Sequence, residues 1–506
     1  MRNTSMSRFL TPLIAQIAEL GRQGGAVSAA VYDTAQALRR RPPSDPRPVL
    51  AWLLQQQQPD GGWGDPAVAY CRDVPTLAAV LALHASDPRR YAGEIAAGLR
   101  IVRANAAQWI SPHPAHLPVA VEWILPRLAD EAATLGLLPA MPAYDGLRAL
   151  GAARRQRLDR RGGAAGATAS HSWEAWGAAA DPALIDPTGG IGHSPAAASA
   201  WSALAGPDAD ESHTAGVQRY LQAAANATGV GIAGVFPVVW PITRFEQAFG
   251  LYGMAVTGGL RAPAIRAAAE PIVGALADRL AAGGVGMSDA FHMDGDTSAA
   301  AWTVVRAAGA TPPLRLLEPY MRHGAFTAYP GELQASLSVA CRLLHASVAD
   351  DAATRHGIAW LRSQQCADGR WPADKWNASW LYSAWHVLLA CQGRSSEPGV
   401  PSLVCTTLTA IEEAQHADGG WGPASASRGP DTVFAIFALL AACSFPGLAD
   451  HVQASLRRAA AWLSQAVEED VWALRWIGKE LYAPVRVDRT LAYSALVAAD
   501  TILEDL

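Results

Sequence analysis

The stretch QHADGGW, Gln415 to Trp421, decides the fold of this chain. The same order of Gln, two residues, Asp-Gly, one residue and Trp recurs in QQPDGGW, ending at Trp63, and in QCADGRW, ending at Trp371. Each copy follows an apolar segment such as VLAWLLQQ or IAWLRSQ. A new apolar segment begins about ten residues after each Trp, near Asp73, Leu381 and Asp431. A recurring unit of this kind points to a repeat architecture. One helix stops at a glycine turn, the Trp packs back beneath it, and a second helix returns. The Gln amide is placed to bond peptide groups that the turn exposes. Segments such as VFAIFALLAAC and TLAAVLALHA are rich in alanine and leucine, and alternating strand patterns are rare. The fold class is therefore all-α.

A second stretch, FHMDGDTSAAAW from Phe291 to Trp302, raises a chemical question. GGVGM, Gly283 to Met287, reads as the same turn with its Trp lost, and Asp296 follows Val285 by eleven residues. Asp294 and Asp296 thus fall at the start of a returning helix. One reading is a helix cap, where aspartate is favoured. The other is a proton donor, because neighbouring carboxyls resist ionising and hold a shared proton near neutral pH.

Composition narrows the function classes. The 506 residues are 50% hydrophobic and 17% charged, with a net charge of −5. Much of the chain is interior, and no basic block reads as a nucleic-acid footprint. The longest clean apolar run, Val433 to Cys443, is too short to span a bilayer. Stable membrane insertion is not expected. Six cysteines without a CxxC pair, and no secretory segment, suggest buried reduced thiols and a cytoplasmic location. Histidines His171, His193 and His292 lack metal-ligand spacing and read as structural. Lys375 and Lys479 are the sole lysines.

The Gln-xx-Asp-Gly-x-Trp repeats with an Asp-x-Asp resemble the class II terpene cyclases. Further stretches resemble their bacterial prenyl-diphosphate branch: VYDTA (31–35), HSWEAWG (171–177), GGIGHSPAAASAW (189–201), FPVVWPITRFE (236–246), DKWNASWLYSAWHVLLA (374–390) and WIGKELYAP (476–484). The resemblance covers nearly the whole chain. It implies two α/α-barrel domains, termed β and γ, with the active site between them. Residues 1–25 with 268–506 would form the β domain, and 26–267 the inserted γ domain. The family's acid motif ends in two aspartates, whereas here Thr297 follows Asp296. That departure resembles drimenyl diphosphate synthases.

What the resemblance implies is a cyclase that protonates a carbon–carbon double bond and keeps the diphosphate. Asp296 would be the general acid and Asp294 its partner, with Thr297 donating a hydrogen bond to the anion left on Asp296. Glu174 of HSWE would coordinate Mg²⁺ facing the diphosphate. Lys479 and Arg244 are candidate phosphate contacts. Phe291, Trp302, Trp380 and Tyr382 are candidate cavity walls, since aromatic faces stabilise carbocations. Asp350-Asp351 lacks the Asp-Asp-x-x-Asp pattern of enzymes that expel diphosphate. The expected reaction is farnesyl diphosphate to drimenyl diphosphate. Geranylgeranyl diphosphate to a copalyl- or halimadienyl-type product is the alternative, and a non-catalytic α-toroid binding lipid or protein is the alternative from another class. The expected partner is a prenyl diphosphate, with a homodimer as one possible assembly.

Overall fold

The repeat turns organise the molecule as their residues suggest. In the computed structural model, Trp63, Trp371 and Trp421 are buried. It describes residues 8–505 apart from 111–115, 162–164, 207–209, 322–325, 331, 333–334, 347–351 and 470–471. Trp421 donates from Nε1 to the Ile411 carbonyl at 2.7 Å, and Trp63 to that of Leu53 at 2.8 Å. These two are thereby pinned under the helix that precedes them, while Trp371 donates to Thr407 Oγ1 of the following outer helix at 3.0 Å. Gln415 donates to the Gly419 carbonyl (2.9 Å) and to Ser455 O (3.0 Å) on a neighbouring helix. Gln57 and Gln365 bond Gly61 O and Gly369 O in the same way. These glycines sit at φ +97°, +97° and +80° for Gly61, Gly419 and Gly369, which a side chain would strain. In the fourth turn Val285 takes the tryptophan's place. Its N–H donates to Ser298 Oγ at 2.9 Å, as Trp421 N–H does to Thr432 Oγ1 at 3.0 Å.

The larger core is a ring of six inner helices. They are Thr243–Thr257, Gly295–Ala307, Leu337–Ala346, Trp380–Cys391, Gly429–Ala442 and Val485–Asp505, each packed on the next, with the last returning to the first. Leu10–Glu19, Pro263–Ala281, Ala352–Gln364, Val400–Glu413 and Ala449–Glu469 lie against them. The inner helices are apolar nearly all round, as helices buried on every side must be. A second core joins Val31–Arg40, Asp73–Ser86, Val121–Thr134 and Pro195–Ala205, closed by the short Trp173–Trp176 turn. The α/α-barrel expectation therefore describes the fold.

Two expectations need correction. Helix Thr243–Thr257 falls inside the expected 26–267 insertion, yet Phe245, Phe249 and Tyr252 belong to the larger core. Phe245 and Phe249 both meet the Trp476 ring edge-on. The chain returns to the larger core near Val238 because this helix is too apolar to remain outside. Among the cysteines, Cys71, Cys341 and Cys391 are buried, but Cys366 and Cys405 are exposed, one beside a repeat turn and one on an outer helix. Among the described residues no helix is long and apolar enough to cross a membrane.

A hairpin joins the two cores. Trp476–Ile477 pairs antiparallel with Leu481–Tyr482, and its tip reaches the second core. There Glu480 accepts from Val31 N and Tyr32 N at 2.7 and 2.9 Å. Arg475, just before it, bridges Asp431 (2.8 Å) to Asp65 (2.9 Å). Trp421→Ala should destabilise the protein by about 3–5 kcal/mol, the usual cost of emptying a buried aromatic site. Chemical denaturation measures this, with the half-buried Trp380→Ala as a milder control.

Candidate active site

A cavity opens where the cores meet. The larger core contributes Phe245, Phe291, Asp294, Asp296, Thr297 and Tyr329; the second contributes Val119, Thr168 and His171; the hairpin adds Trp476, Ile477, Gly478 and Tyr482. The walls are mainly apolar and aromatic, with the two aspartates as the acidic groups among the described lining residues.

The acid pair divides its work. Asp294 is the N-cap of its helix. Its Oδ1 accepts from Thr297 N at 2.6 Å and its Oδ2 from Thr297 Oγ1 at 2.9 Å. Both oxygens are occupied, so the cap reading holds for Asp294, and the expected bond from Thr297 to Asp296 is not formed. Burial pushes the Asp294 carboxyl up to about 7, opposed by the Thr297 bonds and helped by the Asp296 charge. Asp296 is one turn-position further in. Its Oδ1 accepts from Arg342 Nη1, and the residue lines the cavity. Burial raises the Asp296 pKa above the ordinary aspartate value; Arg342 pulls it down and the Asp374 carboxylate pushes it up again. Asp296 thus has a second like-charge neighbour, Asp374, besides the Asp294 expected from sequence.

Arg342 and Asp374 were missed in the sequence. Arg342 is buried in Leu337–Ala346, and its guanidinium donates to Tyr382 Oη. It lies 4.6 Å from the Phe249 ring centroid and 5.4 Å from those of Tyr252 and Tyr382. An arginine isolated in LSVACRLLHA was the available signal, because a buried charge requires a partner. Asp374 accepts from Leu337 N at 2.9 Å and Ser338 Oγ at 2.7 Å, capping that helix.

The inner helices start at the cavity end. Glu246, Asp431 and Asp488 lie in the first turns of three of them, alongside Asp294 and Asp296 on the fourth. Each acid offsets the partial positive charge of its helix start.

His171 was read as structural, yet it lines the cavity. Its Nδ1 lies 2.9 Å from the Gly192 carbonyl. A carbonyl accepts only, so Nδ1 bears the hydrogen and Nε2 the lone pair. Burial first, and then the Lys479 charge, hold its pKa well below the ordinary histidine value, so the ring is neutral.

The remaining expected residues scatter. Phe291 is in the wall. Tyr382 stands one layer behind it, 5.5 Å from the Trp476 ring. Trp380 lies under Arg370 at the larger core's edge, and Trp302 bonds Pro312 O at 2.9 Å around a separate pocket at the opposite helix ends. Arg244 makes a bidentate pair with Asp289 at 2.8 and 2.9 Å and does not line the cavity. Asp350-Asp351 lies outside the described residues.

Lys479 is fully buried. Its ammonium donates to Ser194 Oγ (2.6 Å), Glu174 Oε1 (2.8 Å) and Asp33 Oδ1 (3.4 Å). Its expected phosphate role fails on this geometry, because its hydrogens are already committed. The same cluster tests the expected magnesium site. Glu174 Oε2 and Asp33 Oδ2 are buried without partners, the hard donors that Mg²⁺ favours. Lys479 nevertheless sits between both carboxylates, and a dication there would meet an ammonium at contact range. The residues present do not fit a resident Mg²⁺ ion at Glu174.

An aspartic acid held by a guanidinium over an aromatic hollow, at the junction of two α/α barrels, is a device for protonating hydrocarbon. The chain belongs to the bacterial class II terpene cyclases. Residues 317–436 match the squalene-hopene cyclase C-terminal domain. A (+)-kolavenyl diphosphate synthase of Herpetosiphon aurantiacus is 38% identical, over 97% of this chain and 97% of its own. An ent-copalyl diphosphate synthase of Streptomyces sp. (strain KO-3988) is 30% identical, covering 95% of this chain and 94% of its own. The solved structure of ent-copalyl diphosphate synthase from Streptomyces platensis superposes with a TM-score of 0.77 at 27% identity, covering 96% of this chain and 99% of that one.

Arg342→Gln should lower kcat by about 10- to 100-fold, since a hydrogen bond to a charged group is worth about 1.5–3 kcal/mol. Without the guanidinium the Asp296 pKa rises further. The acid must be protonated to react, so the high-pH fall in rate should move to higher pH while the maximum drops. A pH–rate profile of both enzymes reads both effects. Lys479→Met should cost about 3–5 kcal/mol by leaving two carboxylates buried without their cation. Thermal denaturation detects that loss, whereas a phosphate ligand would change KM alone.

Proposed function

We propose that the protein cyclises geranylgeranyl diphosphate to a bicyclic diphosphate of the copalyl or kolavenyl kind, with the diphosphate retained. The observation that carries this reading is Asp296, paired with Arg342 in the wall of an aromatic cavity. The relatives at 38% and 30% identity are named for twenty-carbon products. The lean toward farnesyl diphosphate came from Thr297, and Thr297 is engaged with Asp294. Geranylgeranyl diphosphate is therefore the better substrate reading, and drimenyl diphosphate is set aside.

In this mechanism Asp296 Oδ2–H gives its proton to the terminal double bond of the folded chain. Arg342 stabilises the carboxylate that remains, so the proton leaves a group that is neutral at rest yet well held as an anion. Neighbouring double bonds close the rings in turn. The faces of Phe245, Phe291, Tyr329, Trp476 and Tyr482 stabilise the moving charge, each by about 0.5–2 kcal/mol. His171 Nε2 is the base that takes the last C–H proton. One proton enters and one leaves, so the product is an isomer of the substrate.

The diphosphate rests at the mouth. Arg154, Arg157 and Lys375 line an outer chamber that shares Val119, Thr168, Tyr329 and Trp376 with the cavity. Lys375 pairs with Glu332 over the Trp376 ring, and Arg154 with Glu122 at 2.6 Å. These ion pairs open to a phosphate without exposing an apolar surface, and guanidinium forks suit its oxygens. Magnesium has no resident place in this reading.

Incubation with geranylgeranyl and farnesyl diphosphates in competition, then phosphatase and mass analysis, tests it. The expected result is a cyclic twenty-carbon alcohol from the wild type and the linear alcohol alone from Asp296→Asn. A preference for the fifteen-carbon substrate would refute the chain-length reading. Linear alcohols alone from the wild type would favour the binding toroid.

A further inference from the structure

The loop from Gly286 to Met293 carries Met287 and Phe291 into the cavity wall and delivers the chain to Asp294. Its backbone is held at both ends. Met287 O accepts from Arg244 N and Phe245 N, and Asp294 N donates to Val285 O. Between those points it is held by a side chain from the other side of the cavity. His193 Nε2 lies 2.6 Å from Ser288 Oγ, and His193 Nδ1 lies 3.1 Å from Asp186 Oδ2. Asp186, His193 and Ser288 are all buried, His193 at 0% exposure. The His193 ring also packs on Phe291, with centroids 4.8 Å apart.

This arrangement is costly, and its cost localises its purpose. A buried carboxylate and imidazole need every hydrogen bond satisfied. His193 further adopts φ +58°, a left-handed backbone that a histidine seldom takes, and its carbonyl is held by Trp240 N at 3.0 Å. The spacing is that of a nucleophile–base–acid array. Ser288, however, is not part of the cavity wall, and its Oγ accepts from Ala290 N at 3.1 Å. The serine is thus turned toward its own loop, and what the array orders is the loop. Ala290 follows immediately before Phe291, so Ser288 Oγ fixes the approach of the Phe291 ring from below while His193 fixes its face.

We propose that Asp186, His193 and Ser288 form a positioning array that holds Phe291 against the substrate and so determines which carbocation is deprotonated. The inference rests on the cyclase reading given above. A phenyl face stabilises only the cation centred over it. A ring free to tilt lets earlier cations persist elsewhere, where they lose a proton or capture water. The array therefore governs product identity more than rate.

Ser288→Ala removes the hydroxyl from both His193 and Ala290, and Ser288→Thr restores it. Products from geranylgeranyl diphosphate, kcat, KM and melting temperature are measured for both and for wild type. In Ser288→Ala, double-bond isomers, incompletely cyclised products and water-quenched alcohols should rise about tenfold as a share of product, within what a sub-ångström misplacement produces. KM should stay unchanged, and Ser288→Thr should restore the wild-type mixture. An unaltered product mixture in Ser288→Ala overturns the proposal. If that variant folds poorly, Asp186→Asn serves, because it keeps the shape while releasing the imidazole; an unaltered mixture there overturns the proposal equally. Wild-type enzyme that makes no cyclic product would instead sink the cyclase reading.

Discussion

An ammonium with no exposed surface, closed in by two carboxylates and a serine, holds the two halves of this enzyme in register. Lys479 comes from the hairpin that leaves the larger barrel; Asp33, Glu174 and Ser194 belong to the smaller one. Desolvating these groups is expensive, and the attraction between them offsets that expense only when the fit is close. The arrangement therefore tolerates one docking geometry and penalises its neighbours. Trp476, Gly478 and Tyr482 on the same hairpin form part of the cavity wall. Whatever fixes Lys479 also fixes the wall.

The second constraint is the common direction of the inner helices. Their amino ends gather around the cavity and would bring several partial positive charges to one place. The chain answers with an acid at nearly every start. Two of them act as caps: Asp374 bonds Leu337 N and Ser338, and Asp294 bonds Thr297. Asp296 pairs with a guanidinium, as Asp431 does with Arg475, but it also lines the cavity. Among these acids, what singles out Asp294 and Asp296 is their place on the cavity wall.

This explains how far the sequence could be read. The turns were legible because each is local: Gln415 bonds Gly419 O, Asp418 bonds Gly420 N, and Trp421 reaches back only to Ile411. The acid pair was legible for the same reason, since a cap and its helix are adjacent in the chain. Arg342 was not, because it lies forty-six positions from Asp296 in the chain. Lys479 drew attention as a rare lysine beside a family motif, but its partners are 285 to 446 residues away, and only the fold reveals that its charge is spent. Trp302 and Trp380 sat at plausible spacings on inner helices. Helix rotation and length put one at the far end and the other on the rim, which an apolar pattern alone cannot distinguish. The boundary of the inserted segment was misplaced for a related reason: helix Thr243–Thr257 looks the same from either barrel until Trp476 is seen packed on Phe245 and Phe249.

The proton's path gives the two-barrel design a chemical purpose. Asp296, the proposed proton donor, belongs to the larger core, and His171, the proposed base, lines the hollow from the smaller. Their separation is set by docking of the cores and not by either helix alone. A cation that must travel from one to the other passes the aromatic faces in a fixed order. Burial first, and the Lys479 charge after it, hold the His171 imidazole neutral. In the proposed mechanism the cross-link that registers the barrels would help keep His171 ready to accept a proton, while Arg342 would stabilise the carboxylate left on Asp296.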